Sequence, residues 1–342
     1  MRLHGNQSRK GVEMLCLGFE CTAHTFGCAI VSEKGEILSN VKSMYVSEKG
    51  GIRPLKAAEH HIAAFPDVLE RALEQAKVSL RDVGLIAVSS GPGLGQCLRI
   101  GAVGARMLAQ KLNVPLVPVN HCIAHVEIGK LWSGFKDPIT LYVSGANTQI
   151  LAFAAGKYRI FGETLDIGCG NFLDSFGRAL GIGFPAGPKI EELAKKGQKY
   201  IELPYTIKGM DFAFSGILTK LEQLIGKEST EDLCYSAQET IFAILTEATE
   251  RAIAHIDKNE VLLTGGVASN KRLSEMVKTM CFERGVKFST LPRELATDNA
   301  AMIAWTGLLQ HLSGARYGLL DTKIKPYWRT EQVDVTWIKW LK

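Results

Sequence analysis

The chain has 342 residues, of which 46% are hydrophobic and 22% charged, and a formal net charge of +5. This composition excludes disordered and fibrous classes and predicts two domains of roughly 100–200 residues each. Glycine is in excess at 34 residues with no Gly-X-Y period, so the glycines are expected at turns and close backbone approaches. Residues 1–13 are polar and lack the apolar core of a secretory signal. They read as a short extension, with Met1 and Met14 as equivalent candidate starts. The longest uncharged run, 138–156, is broken by Thr140, Ser144, Asn147, Thr148 and Gln149 and is too polar for a membrane span. The 8 cysteines form no Cys-x-x-Cys, which predicts buried, reduced thiols in a cytoplasmic protein. The small positive charge permits a polyanionic partner without requiring one.

In chain order, residues 14–20 read as a buried strand, 21–25 as a polar turn, 26–32 as a strand, 33–36 as a hairpin turn and 37–46 as a third strand. A helix is expected over 57–77. Residues 85–89 form a strand leading into Ser90-Gly91-Pro92-Gly93-Leu94-Gly95. A helix follows over about 98–112, its apolar positions Ile100, Val103, Met107 and Leu108 at helical spacing. Strand–turn–strand–turn–strand then recurs at 139–164, about 125 residues after its first appearance, which signals a duplicated unit. The second copy has its turns at 144–148 and 155–157. A long helix, 231–257, carries the stripe Leu233, Ile241, Ile244, Leu245, Ala248 and Ala252. Strand 260–264 enters Gly265-Gly266-Val267-Ala268-Ser269-Asn270, and a helix runs through Met280. A last apolar helix covers 300–312.

These elements predict an α/β protein of two similar halves, 14–137 and 138–337, the second with a helical insertion and followed by a tail at 338–342. Four small-residue turns at matched places would face one another across a cleft. Glycine-turn amides bind phosphates because no Cβ obstructs approach, so the cleft is expected to hold a nucleotide or phosphate.

His121 and His125, behind the helix cap Asn120, stand at i and i+4, on one helical face and within reach of one ion. Cys122 occupies the position where a zinc protease of the His-Glu-x-x-His type needs its glutamate, so peptide hydrolysis is disfavoured. Asp298 either caps the last helix or turns toward the cleft. Tyr142 is a fourth candidate ligand or simply a half-buried strand tyrosine. His60 and His61, adjacent on a helix, should diverge by about 100° and read as packing or solvent residues.

Gly18-Phe19-Glu20-Cys21-Thr22-Ala23-His24-Thr25, the glycine turn at 90–95, Asn120-His121-Cys122-Ile123-Ala124-His125, Tyr142-Val143-Ser144-Gly145, Gly265-Gly266-Val267-Ala268 and Asp298-Asn299 occur in this order. Together they resemble the tRNA threonylcarbamoyltransferase family, once classed as O-sialoglycoprotein endopeptidases, over nearly the whole chain. Thr22-Ala23-His24-Thr25 and Gly209-Met210-Asp211 are similar to its archaeal and eukaryotic branch, the catalytic subunit of the KEOPS complex, in its stand-alone form.

The resemblance implies the actin/Hsp70/sugar-kinase superfold, with two ribonuclease-H-like halves around a nucleotide and metal cleft. It implies transfer of a threonylcarbamoyl group from threonylcarbamoyl-adenylate to the N6 amine of the adenosine just 3′ of the anticodon, in tRNAs reading codons that begin with A. The ligands would be His121, His125, Tyr142 and Asp298, holding one divalent metal, usually iron, with zinc or magnesium as other candidates. Substrate would meet Tyr142, Val143, Ser144, Gly145, Ala146, Asp174, Gly187, Glu191 and Asn270. The implied partners are tRNA and the KEOPS subunits: a small kinase/ATPase, a dimerising subunit and an accessory tRNA-binding subunit. An upstream synthase would supply the adenylate. Glu20 and His24, on the first turn, are candidates for proton handling. Lys195, Lys196, Lys199, Lys323, Lys325 and Arg329 are candidates for phosphate contact. Two positions depart from the family pattern, Ala146 and Ala186, where glycine is usual. The competing readings are an ATPase or kinase on the same superfold, and a nucleotide-gated scaffold without turnover.

Overall fold

The computed structural model describes residues 13–47 and 51–339. The expected extension therefore lies, apart from Glu13, outside the described residues, as do the last three residues of the expected tail. β1 (Leu15–Glu20), β2 (Thr25–Ser32) and β3 (Ile37–Met44) are an antiparallel meander. α1 (Pro54–Ala76) follows, with Pro54 in its first turn, where a missing N–H costs nothing. β4 (Val83–Gly91), α2 (Gly95–Leu112), β5 (Leu116–Asn120) and α3 (His121–Ser133) complete the first half. The second half repeats the pattern with β6 (Ile139–Val143), β7 (Thr148–Ala154) and β8 (Lys157–Glu163). An insertion then carries α4 (Cys169–Ala179), α5 (Gly187–Ala194), the small hairpin β9 (Ile207–Lys208) and β10 (Asp211–Phe212), and α6 (Ser215–Leu224). α7 (Thr230–His255), β11 (Glu260–Thr264), α8 (Lys271–Glu283), β12 (Lys287–Thr290), α9 (Arg293–Ala296) and α10 (Ala300–Leu312) close the fold.

The two five-stranded sheets have the orders β3-β2-β1-β4-β5 and β12-β11-β6-β7-β8. Read from the meander edge, they are the same topology twice. In each, the first meander strand pairs in parallel with the strand that leads into a glycine turn. The expected duplication is therefore present, with one strand more in each five-stranded sheet than the sequence suggested, and the hairpin β9–β10 besides. β5 escapes notice because Pro118 interrupts its pattern, which an edge strand tolerates. β12 is short and only partly buried.

α2 differs from expectation on its buried face. Val103 and Met107 are exposed, whereas Cys97, Leu98, Gly101, Ala102, Ala105 and Leu108 are buried. Small residues are required there: a Cβ on Gly104 would lie 2.2 Å from the Phe65 ring. α7 starts behind its cap Ser229, whose hydroxyl accepts from Asp232 N–H, and all six residues of its predicted stripe are buried. All eight cysteines are free and buried.

The chain does not stay in its second half to the end. α10 leaves the second sheet and lies on β1, β2 and β4. Gly18 lets it in: a Cβ there would sit 2.5 Å from the Ala300 carbonyl oxygen. α10 thus covers the first sheet, while residues 330–335 return to β8 of the second, so the spatial halves are not contiguous in sequence. No helix among the described residues is long and apolar enough to cross a membrane.

Candidate metal and nucleotide cleft

In each half the meander turn packs against the glycine turn. Leu94 N–H donates to the Thr22 carbonyl at 2.7 Å, and a Cβ on Gly93 would be 2.5 Å from that same oxygen. In the second half Gly265 lies against Val143, where a Cβ would be 2.3 Å from the carbonyl oxygen. Gly265 has φ +100°, in the region that favours glycine. Ala146 is not at positive φ, so its methyl group imposes no backbone strain.

α3 begins where Asn120 accepts from Ile123 N–H at 3.2 Å. Its first ten residues are all buried. The imidazoles of His121 and His125 are 4.8 Å apart and nearly perpendicular. Asp298 Oδ1 lies 3.5 Å from His121 Nε2 and 3.4 Å from His125 Nε2. Asn299, not Asp298, caps α10, accepting from Met302 N–H at 3.0 Å. The alternation of an extended segment explains the division of labour: Asn299 points toward the helix and Asp298 toward the histidines. Tyr142 is fully buried, with its ring 5.0 Å from that of His125. Its hydroxyl and both His125 nitrogens have no hydrogen-bond partner among the described residues. Unsatisfied polar atoms are costly in a buried site, and a cation would satisfy His125 Nε2, on the Asp298 side of the ring, together with the Tyr142 hydroxyl. Three donors of this kind also form the one such cluster among the described residues, with their ligand atoms within 4.8 Å of one another. The residues present therefore fit a divalent metal.

Glu20 stands behind this cluster. It is fully buried; one carboxylate oxygen accepts from the Thr22 amide at 2.7 Å and from its hydroxyl, and the other accepts from His121 Nδ1 at 2.9 Å. With its proton on Nδ1, His121 presents the Nε2 lone pair to the cluster. Burial disfavours a charged His121, but the flanking carboxylates of Glu20 and Asp298 override it and raise its pKa well above the ordinary value. His125, penalised by burial and by the neighbouring His121, is shifted down. For Asp298, burial is outweighed by the two imidazoles, and its carboxyl titrates well below the usual range. Burial pushes the Tyr142 phenol well up, helped by Cys122 and Asp298.

The other expected residues are spread over the insertion, the start of α8 and the two meander turns. Asp174, on α4, accepts from Ala186 N–H at 2.8 Å, and burial raises its pKa. Gly187 opens α5, and Glu191 accepts from Lys271 N–H at 3.0 Å. The Asn270 side chain caps α8 through Arg272 and Leu273 N–H and donates to Gln238 at 2.9 Å. Ser144 closes its own turn through the Asn147 carbonyl at 3.0 Å. His24 stacks edge-on against Phe184 at 5.5 Å, linking the first turn to the insertion, and its Nδ1 is buried without a partner among the described residues.

Two further groups of sequence candidates have the following surroundings. His60 and His61 do meet: their Nδ1 atoms are 3.5 Å apart, while His60 bonds Ser43 at 2.9 Å and His61 is fully buried. Side-chain torsions bring together rings whose Cα–Cβ vectors diverge. Among the candidate phosphate-binding cations, Lys199 pairs with Glu228 at 3.1 Å and Arg329 with Glu163 at 3.0 Å, so neither is a free charge. Thr22 entered the sequence reading only as part of a motif; its hydrogen bonds to Glu20 come from the folded turn.

Comparison with known proteins finds relatives by sequence and by fold. The profile of the family described as tRNA N6-adenosine threonylcarbamoyltransferase matches residues 36–305. A Thermococcus kodakarensis protein of that name is 57% identical over 326 residues, covering 95% of this chain and all of that protein. A Methanocaldococcus jannaschii protein named as a probable bifunctional tRNA threonylcarbamoyladenosine biosynthesis protein is 53% identical over 96% of this chain and 61% of its own length. Among solved structures, HypF of T. kodakarensis superposes with a TM-score of 0.61 at 16% identity, over 89% of this chain and 48% of that one. Component A of the (R)-2-hydroxyglutaryl-CoA dehydratase of Acidaminococcus fermentans does so with a TM-score of 0.55 at 15% identity, over 87% of this chain and 99% of that one. These likenesses share the actin/Hsp70/sugar-kinase superfold. By sequence, the chain belongs to the tRNA N6-adenosine threonylcarbamoyltransferase family of enzymes.

Proposed function

We propose that this enzyme transfers the threonylcarbamoyl group of threonylcarbamoyl-adenylate to N6 of the adenosine 3′-adjacent to the anticodon, in tRNAs reading codons that begin with A. The single observation that carries this reading is the buried His121–His125–Asp298 cluster, set beside Tyr142 where the glycine turns converge. The adenine amine is a poor nucleophile because its lone pair is delocalised into the ring. The mixed anhydride compensates with a good leaving group: a new N–C bond forms, the C–O bond to phosphate breaks, and AMP departs with the electron pair.

His121, His125, Asp298 and Tyr142 would hold one divalent cation, for which two imidazoles with oxygen donors suit iron or zinc. Bound there, the cation supplies Lewis acidity toward phosphate or carbamoyl oxygens. Amides at Gly145 and Ala146 stabilise charge developing on the acyl oxygen. Asp174 and Glu191 accept from ribose hydroxyls, with Gly187 and Asn270 completing the nucleotide wall. His24, with a free Nδ1, takes the amine proton. Glu20 orients His121 rather than touching substrate.

In the cell the chain works in the cytoplasm with tRNA as the catalytic subunit of a KEOPS assembly. Its partners there are a small kinase/ATPase, a dimerising subunit and an accessory tRNA-binding subunit, and an upstream synthase supplies the adenylate. The test is mass spectrometry of nucleosides from tRNA incubated with the chain, those partners and threonylcarbamoyl-adenylate. Threonylcarbamoyladenosine should appear with the wild type and drop at least 100-fold with His121→Ala. Its absence in the wild type would overturn the reading.

A further inference from the structure

The register of the first sheet places three residues in one cross-strand row. Glu20 of β1 is paired with Gly27 of β2, and Gly27 with Lys42 of β3. Directly opposed residues share a sheet face, and here that face carries α10. Glu20 holds His121 Nδ1 at 2.9 Å. At Gly27 the N-terminus of α10 comes down on the row, since a Cβ there would touch Ala300 at 3.4 Å. Lys42, half-buried, extends along the same face, and its ammonium donates to Thr297 Oγ1 at 2.7 Å and to the Asp298 carbonyl at 3.1 Å.

Thr297 is prepared for this contact. Its hydroxyl proton goes to the Arg293 carbonyl at 2.9 Å, which leaves a lone pair for the ammonium. On the other side Asn299 donates to the carbonyls of Leu295 at 3.0 Å and Thr297 at 2.9 Å. The short segment between α9 and α10 is therefore clamped twice, by a neighbour in sequence and by a lysine from a distant strand.

We infer that Lys42 is a positioning residue for the metal cluster: by gripping Thr297 and the Asp298 backbone it aims the Asp298 carboxylate at His121 and His125. The row acts as a single outer support, an anion at one end fixing the histidine and a cation at the other fixing the carboxylate. This inference rests on the reading that the cluster binds a divalent cation. Outer supports of this kind typically change metal affinity by about 10–100-fold.

The test is titration of the full-length apo-protein with Co2+, following both the affinity and the visible ligand-field bands. Lys42→Met should weaken binding by at least about 10-fold and alter the bands, and Lys42→Arg, which keeps a donor at the tip, should recover most of the affinity. Amide exchange of residues 297–299 in the apo-protein should accelerate in Lys42→Met, a readout independent of metal. If Lys42→Met fails to fold, Thr297→Val removes the acceptor and should likewise weaken binding. Wild-type affinity and bands in either folded variant would overturn the role of Lys42. A wild type that binds no Co2+ would instead bring down the metal reading, and this inference with it.

Discussion

A histidine ligand is only as good as the group on its other nitrogen. His121 has a buried carboxylate there, whereas the second nitrogen of His125 has no partner among the described residues. Glu20 thus carries the orientation of one ligand and its electron donation as well. Glu20→Gln keeps the volume and an acceptor but loses the charge. It is expected to weaken divalent-metal binding by about 10–100-fold while leaving the apo-protein folded, as calorimetric titration and far-UV dichroism of the same sample would show. Undiminished affinity would mean that Glu20 is merely buried.

At the scale of the element, α1 carries a pH dependence of its own. His61 lies against the Phe26 ring at 5.5 Å and is fully buried. Burial, then the neighbouring His60 and His24, lower its pKa from 6.5 to about 4. A folded-state value below the unfolded one means that the unfolded chain binds the proton more readily, so stability falls as pH drops from 6.5 toward 4. At about 1.4 kcal/mol per pKa unit, the loss approaches about 3 kcal/mol. Urea midpoints measured across that range should fall in the wild type and flatten in His61→Leu. An equally steep acid limb in the variant would assign the effect to other groups. The adjacent α2 shows why its face was misread: a helix can bury alanine and glycine and leave valine and methionine outside when its neighbours leave no room for large side chains.

Across the whole molecule, the carboxyl-terminal segment closes a buried knot. The Trp337 indole N–H donates to Glu127 at 2.7 Å, the Tyr158 hydroxyl donates to the same carboxylate, and Lys130 lies 3.2 Å from its other oxygen. Glu127 and Lys130 belong to α3, the helix that carries both histidines, whereas Tyr158 is in the second sheet and Trp337 follows α10. The knot therefore joins α3, the second sheet and the carboxyl-terminal segment. Trp337→Phe keeps an aromatic ring but removes the N–H donor to a buried carboxylate and part of the packed volume, which should cost at least about 1–3 kcal/mol of global stability. Chemical denaturation would detect this, and an unchanged midpoint would show that the indole N–H contributes nothing.

Much of this was legible locally. The i, i+4 spacing of His121 and His125, the cap at Asn120, the repeated meander and the stripe of α7 are short-range patterns, and backbone periodicity is enough to read them. What lay outside that range needed the tertiary structure. Whether Asp298 capped a helix or turned to the histidines depended on Asn299 taking the cap. That Glu20 meets His121, that Lys42 reaches Asp298 and that α10 returns to the first sheet all follow from strand register and from glycines that admit another backbone. The sequence by itself determined the two meanders, the strands entering the glycine turns, the main helices and which helix carries the histidines, because those choices are set within a few residues. The tertiary structure alone decided which side chains meet across the cleft, because strand pairing and packing bring together residues that no local pattern links.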